Sequence, residues 1–177
     1  MNLSCYSLQE DERIYSLVEE CSDPYNQGYH FEKYIERLFS NQGRFEFIYF
    51  NHPRLHMYGR DAAKSTFPDL KVLFHSTQRT YKFAIECKWS KTLGNGKSFI
   101  WVQPETLRRY HLYQKTYRIP VFIAIGVSGE ASNPERLYVT HLDHFGNKIQ
   151  ITENELIPFK RKANRKFFYD AEQLKLF

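Results

Sequence analysis

A few acidic residues and one lysine have the types and spacing needed for hydrolysis at a metal ion. Asp69 follows Pro68, and further along the chain Glu86 and Lys88 flank Cys87. Magnesium sites usually combine one or two carboxylates with phosphate oxygens of the substrate. A neighbouring lysine can orient or deprotonate a water molecule, or stabilise charge on the phosphate. These residue types therefore predict metal-assisted phosphodiester hydrolysis.

Two apolar, β-prone segments would hold these residues on paired strands. We predict strands over residues 67–74 and 81–89, joined by a hairpin at 75–80. If the hairpin is centred between residues 77 and 78, Asp69 lies directly opposite Glu86. Directly opposed residues point to the same face, with Cβ atoms about 5 Å apart. The two carboxylates would then converge.

The second of these strands separates polar from apolar side chains. Because strand side chains alternate, Glu86 and Lys88 share one face, while Ile85, Cys87 and Trp89 share the other. The apolar set indicates a core-facing side. Two carboxylates close together repel each other unless one is protonated or a cation lies between them. This arrangement favours a cation site beside the lysine.

A helix before these strands contributes two candidate acids. We predict that residues 23–28 break an N-terminal helix over 8–22 and lead into a second helix. The apolar stripe of that second helix comprises Phe31, Tyr34, Ile35, Leu38 and Phe39. At 100° per residue, Glu32 lies at the margin of this stripe and Glu36 lies further out. Glu32 is the better placed acid, and Glu36 suits solvent or an ion pair.

The second half of the chain reads as a helical crossover between strands. Pro104 suits the first turn of a helix over 104–117. The apolar run from Val121 to Val127 is typical of a strand buried on both faces, as in a parallel pair. Strands are also expected at 137–142 and 148–152. The elements together predict an α/β fold with a mixed central sheet.

The charge distribution points to a polyanionic partner. Residues 1–40 hold three basic and eight acidic side chains, whereas the remaining residues hold an excess of lysine and arginine, and the net charge is +5. Nucleic acid is the commonest partner of such a surface. The basic tail at 159–177 is expected to begin loose and to close with a short helix. The candidate phosphate contacts are Arg108, Arg109, Lys115, Arg118, Lys160, Arg161 and Lys162.

The residues that carry the chemistry resemble the PD-(D/E)xK signature of the restriction-endonuclease-like nucleases. Pro68-Asp69 matches its first part and Glu86-Cys87-Lys88 its second, while Gly28 to Glu32 is similar to the GxxFE opening of the family's preceding helix. The resemblance spans about residues 28–142. It is nearest to archaeal-type Holliday-junction resolvases and restriction-like nucleases.

This resemblance implies a restriction-endonuclease-like α/β/α core and a Mg²⁺-dependent DNA nuclease, with Mn²⁺ as a substitute. It implies that Asp69 and Glu86 bind the metal, with the Cys87 carbonyl and Glu32 as further ligands, and that Lys88 is the catalytic lysine. Family members often act as dimers, so a homodimer is expected. The biological setting would be repair, recombination, restriction or mobile-element processing.

Length and composition set the remaining expectations. A chain of 177 residues with 42% apolar and 25% charged residues is typical of a single domain, here taken as 1–177. No apolar run reaches the roughly 20 residues of a membrane-spanning helix. Cys5, Cys21 and Cys87 form no CxxC pair, which argues against a zinc finger or a disulfide framework. The cytoplasm is the expected compartment.

Two rival functions stay open at this point. The chain could be a nucleic-acid-binding module that kept the fold without cleaving, or a subunit of a larger nuclease assembly. Glu86 and Lys88 could also be an ordinary surface ion pair, and Asp69 a turn residue. Metal-independent DNA affinity would favour the binding module, because carboxylates near phosphate repel DNA when no cation is bound.

Overall fold

The computed structural model describes residues 24–39, 43–49, 67–92, 98–162 and 164–176. The helix predicted over 8–22 lies outside them. The described helices are α1 (Pro24–Phe39), α2 (Pro104–Tyr117) and α3 (Glu153–Leu156). The strands are β1 (Phe45–Tyr49), β2 (Leu70–His75), β3 (Thr80–Ser90), β4 (Phe99–Ile100), β5 (Val121–Glu130), β6 (Asn133–His141), β7 (Gln150–Ile151), β8 (Lys160–Arg161), β9 (Tyr169–Asp170) and β10 (Lys175–Leu176).

Six of these strands form a mixed central sheet in the order β1-β2-β3-β5-β6-β8. Strands β3 and β5 are parallel and are joined through α2, whereas the other neighbours are antiparallel. Helix α1 packs on one face of the sheet and α2 on the other. The predicted α/β/α arrangement with a mixed sheet is confirmed.

The β2–β3 hairpin has the predicted register. Leu70 pairs with Ile85 and His75 with Thr80, so the turn is centred between residues 77 and 78. The Ser76 hydroxyl accepts hydrogen bonds from the turn amides and donates one to the Arg79 carbonyl, which fixes the turn. Strand β2 begins at Leu70, later than the predicted residue 67, because Pro68 has no N–H to donate to a ladder.

Each face of the sheet has its own apolar core. The α1 face is rich in aromatic rings, including Phe31, Phe39, Phe83 and Phe122. A Cβ added to Gly126 would lie 2.4 Å from the Phe31 ring, so a glycine in β5 allows α1 to approach closely. The α2 face is covered by α2, α3 and the β4–β7 ribbon.

Several predicted boundaries need correction. Residues 24–28 belong to α1 and do not form a break, because proline is well suited to a helix start. The strand predicted at 137–142 spans Asn133–His141, and that at 148–152 is reduced to Gln150–Ile151. Helix α2 has the predicted bounds. None of the described helices is long and apolar enough to cross a membrane.

The C-terminal tail is more ordered than predicted. Lys160 and Arg161 form β8 at the sheet edge, and a two-stranded ribbon, β9 with β10, replaces the predicted closing helix. The Arg161 guanidinium donates to the Leu176 carbonyl at 2.6 Å and lies over the Phe167 ring. These contacts tie β8 to the ribbon, a long-range arrangement that strands of two residues cannot signal in sequence.

Candidate active site

The β2–β3 register brings Asp69 and Glu86 together. Asp69 directly precedes β2, opposite the part of β3 that carries Glu86, and its Oδ2 accepts a hydrogen bond from the Cys87 N–H at 2.7 Å. The Glu86 side chain is only 2% exposed. Both carboxylates therefore lie at the same end of the β2–β3 pair, on neighbouring segments of backbone.

Lys88 completes this group from the same strand. Its ammonium contacts Glu86 Oε1, and 37% of its side chain is exposed. Burial alone would lower the pKa of Lys88, but the Glu86 and Asp69 carboxylates raise that pKa above its usual value. Lys88 is therefore an ammonium at neutral pH, in contact with Glu86 and with solvent.

The surroundings of Asp69 disfavour its charged form. Burial raises the pKa of Asp69 well above its usual value, and the Glu86 carboxylate raises it further. The Lys88 ammonium and the Cys87 N–H act in the opposite direction. Such a cluster binds protons or other cations more readily than isolated surface carboxylates do.

Glu32 is the helix-borne acid that lies near this cluster. Burial, followed by repulsion from Glu86, raises the pKa of Glu32 to about 7, and Lys88 and Lys33 oppose the shift. Glu36 instead forms an ion pair with Lys33 at 2.8 Å. The ion pair of Glu36 is one of the two environments expected for it, and the catalytic role of Glu32 stays a prediction.

The donor set fits a magnesium ion held by few protein ligands. Glu86 Oε2 is buried and has no hydrogen-bonding partner among the described residues, which leaves an oxygen for a cation. No group of three or more histidine, cysteine or acidic side chains within the described ranges is arranged to hold a metal ion. Two carboxylates with water and phosphate oxygens are a common magnesium environment. The Cys87 thiol is buried in the α1 core, so this residue could contribute only its carbonyl.

Tyr110 of α2 is a site neighbour that the sequence analysis missed. It is 3% exposed, and burial, followed by the Glu86 and Asp69 carboxylates, raises the pKa of its phenol. The available signal was its position one turn after Leu107 on the buried stripe of α2. That pattern alone indicates a core tyrosine, because it does not reveal which strand residue lies beneath.

The predicted phosphate contacts on α2 are distributed along the whole helix. Arg108 pairs with Glu105 at 2.6 Å, and Arg109 lies near Tyr110. Since α2 runs back along β3 from its carboxyl end, both arginines lie towards the end that carries Lys88. Lys115 and Arg118 belong to the opposite end, where Arg118 terminates the helix with a φ of 53°.

The tail residues lie at the far side of the sheet. The register aligns Lys88, Ile125, Tyr138 and Lys160 in one row, so Lys160 is three strand spacings, roughly 14 Å, from Lys88. Lys160 and Lys162 are exposed. Arg161 is committed to the contacts that hold the terminal ribbon, and burial lowers its pKa to about 10.

Comparison with solved structures identifies the fold. The structure is similar to that of Hjc from Archaeoglobus fulgidus, a Holliday junction resolvase from an archaeal hyperthermophile, with a TM-score of 0.50 and 14% sequence identity. The match covers 76% of this chain and 95% of that chain. No family model and no curated protein matches the sequence. At this identity the likeness shows the restriction-endonuclease-like fold.

Proposed function

We propose that this protein is a metal-dependent DNA endonuclease that hydrolyses phosphodiester bonds at Asp69, Glu86 and Lys88. The observation that carries the proposal is the β2–β3 register, which brings the partly buried Asp69 close to the buried Glu86 carboxylate, beside a lysine ammonium. Burying like charges together lowers stability. A bound cation would compensate for that cost during catalysis.

The cation in this proposal is Mg²⁺, with Mn²⁺ as a substitute. Asp69 and Glu86 would hold it, with the Cys87 carbonyl and Glu32 as further ligands. When bound, such an ion polarises the phosphate and lowers the pKa of its bound water. Oxygen ligands from carboxylates, carbonyls and water suit both metals.

The protein's own groups would orient the reactants. The Cys87 N–H fixes the Asp69 carboxylate, and Glu86 Oε1 fixes the Lys88 ammonium. Because Lys88 is partly exposed, its ammonium can reach a phosphate or a water molecule and stabilise the charge that develops there. Glu32, with a pKa of about 7, can hold or release a proton at neutral pH.

The DNA would approach the end of the sheet where Lys88 and the first half of α2 lie. Arg108 and Arg109 are proposed as the nearest phosphate contacts, with Lys160 and Lys162 further along the duplex. The similar structure is that of a Holliday junction resolvase, which supports DNA as substrate and recombination as the setting. We further propose a homodimer, since cutting two strands needs two sites.

Cleavage of a DNA panel tests the proposal. The full chain is incubated with plasmid, linear duplex, four-way junction, flap and single strand, in Mg²⁺, Mn²⁺ or EDTA. We expect metal-dependent cutting, lowered at least about 100-fold by Lys88→Ala and by Asp69→Asn. Lys82→Ala is the matched control, because Lys82 is an exposed residue of the same strand.

The outcome also separates the rival functions. Absence of cutting with every metal, combined with DNA binding in EDTA, would contradict the nuclease and indicate a binding module. Absence of both activities would indicate a subunit of a larger assembly. Cutting that survives both substitutions would place the active site elsewhere.

A further inference from the structure

Tyr110 is buried where a core position needs only an aromatic ring. It lies on the inner stripe of α2 with Leu107 and Tyr113, and the surrounding side chains of this face are largely apolar. A phenylalanine would fill the same volume. A buried tyrosine hydroxyl normally has a hydrogen-bonding partner, so the hydroxyl of Tyr110 calls for one.

Glu86 has the complementary requirement. Its Oε1 contacts the Lys88 ammonium, but its Oε2 is buried and has no partner among the described residues. A buried acceptor left unpaired lowers stability, and more so if it is charged. Tyr110 lies on the buried stripe of α2, the helix that covers the sheet face carrying Glu86, and the Glu86 carboxylate raises the pKa of its phenol. A donor and an acceptor thus belong to facing elements of the same buried layer.

We propose that Tyr110 is a positioning residue whose hydroxyl donates a hydrogen bond to the Glu86 carboxylate and orients Oε2 towards the metal. This inference rests on the proposed function. A carboxylate oxygen has two lone pairs, so Oε2 can accept this hydrogen bond and still bind a cation. Lys88 and Tyr110 would then hold Glu86 from two sides, which restricts its rotation about the terminal bond.

Metal binding by the intact chain tests this role without relying on cleavage. Tyr110→Phe is compared with wild type and with Tyr113→Phe, a matched substitution of a tyrosine of equal burial whose ring packs on Phe67 and Tyr117. Titration calorimetry with Mn²⁺ should show about tenfold weaker binding for Tyr110→Phe, since supporting contacts of metal ligands typically contribute that much. Tyr113→Phe should bind Mn²⁺ within twofold of wild type.

The contact itself is tested by thermal unfolding without metal in two backgrounds. Tyr110→Phe should lower the melting temperature by about 3–8 °C in the wild-type background. In a Glu86→Leu background, where the acceptor is gone, the same change should shift it by less than about 2 °C. Kinetics should show a fall in kcat with little change in KM for DNA, because the proposed contact is to a metal ligand and not to DNA.

Each failure has a distinct reading. Equal losses of melting temperature in both backgrounds, or a wild-type Mn²⁺ affinity for Tyr110→Phe, would overturn the role of Tyr110. A wild-type chain that binds no Mn²⁺ would overturn the proposed function and, with it, the metal-positioning role. That result is seen before any substitution is made, so the two failures cannot be confused.

Discussion

Both faces of strand β3 are covered by a helix, yet the two faces carry side chains of different chemistry. On one face, Phe83, Ile85 and Cys87 pack against α1 in a core of aromatic rings. On the other face, Glu86 and Lys88 lie beneath α2, with Glu86 as buried as its apolar neighbours. One strand thus supplies both an aromatic core layer and a charged cluster.

The difference shows where this fold gains stability and where it gives stability up. Burial of the aromatic face contributes favourable transfer and packing free energy. Around the charged cluster, the folded state raises the pKa of Asp69 and of Glu32, which α1 carries, and so it disfavours their ionised forms. Arrangements of this kind are typical of functional sites, where a ligand compensates for the loss.

Opposite substitutions on the two faces should change stability in opposite directions. Phe83→Ala removes a fully buried ring that contacts Phe39, Phe122 and Tyr169, and should lower the free energy of unfolding by about 3–5 kcal/mol. Asp69→Asn removes a disfavoured charge and keeps an oxygen that can accept from the Cys87 N–H. It should raise the melting temperature at pH 7, measured by calorimetry without metal.

The informative control repeats the unfolding measurements on Phe83→Ala and Asp69→Asn in the presence of Mn²⁺. Bound metal should stabilise the wild type and Phe83→Ala by equal amounts and leave Asp69→Asn nearly unchanged. A lower melting temperature for Asp69→Asn without metal would contradict the view that this face reduces stability.

The pH dependence of stability should show a smaller effect from the same charged cluster. The folded-state pKa of Glu32, about 7, is higher than the usual 4.5, so the folded chain binds the proton more tightly than the unfolded chain. The contribution of Glu32 is therefore fully present below about pH 4.5 and is lost as the pH rises to about 7. The loss should be about 2–3 kcal/mol.

Glu32→Gln isolates this contribution, because it removes the titrating group with little change in shape. Urea unfolding between pH 4.5 and 7.5 should show a weaker decline for Glu32→Gln than for wild type. Glu36→Gln, on the same helix but paired with Lys33, is the matched control and should follow the wild-type curve. Parallel curves for Glu32→Gln and wild type would show that Glu32 is not coupled to the cluster.

Much of this comparison was predictable from sequence because local patterns encode it. The alternation along β3 and the length of the turn set the register that opposes Asp69 and Glu86. Pro104 and Pro120 delimit the segment that contains α2. Periodicity and proline positions depend on neighbours in the chain, so no tertiary information was needed.

Other features depend on packing between distant segments. The position of Tyr110 over Glu86 depends on how α2 is rotated against the sheet, and helical periodicity does not specify that rotation to one residue. The role of Arg161 depends on the Leu176 carbonyl, which belongs to a ribbon too short to show a period, and on the Phe167 ring, which precedes that ribbon. A basic run in the sequence therefore contains one structural arginine among exposed lysines.

The smallest expected effect separates the two ends of α2. Arg109 lies towards the end with Lys88, whereas Arg118 terminates the helix at the other end. In a Lys88→Ala background, which keeps the DNA uncut in Mg²⁺, Arg109→Gln should weaken binding about two- to fivefold and reduce the salt slope by about 0.9. Arg118→Gln should change neither quantity when binding is followed by fluorescence anisotropy at several salt concentrations. Equal effects of the two substitutions would mean that DNA runs along the whole of α2, and the charged face of the sheet would then be only one part of a longer binding surface.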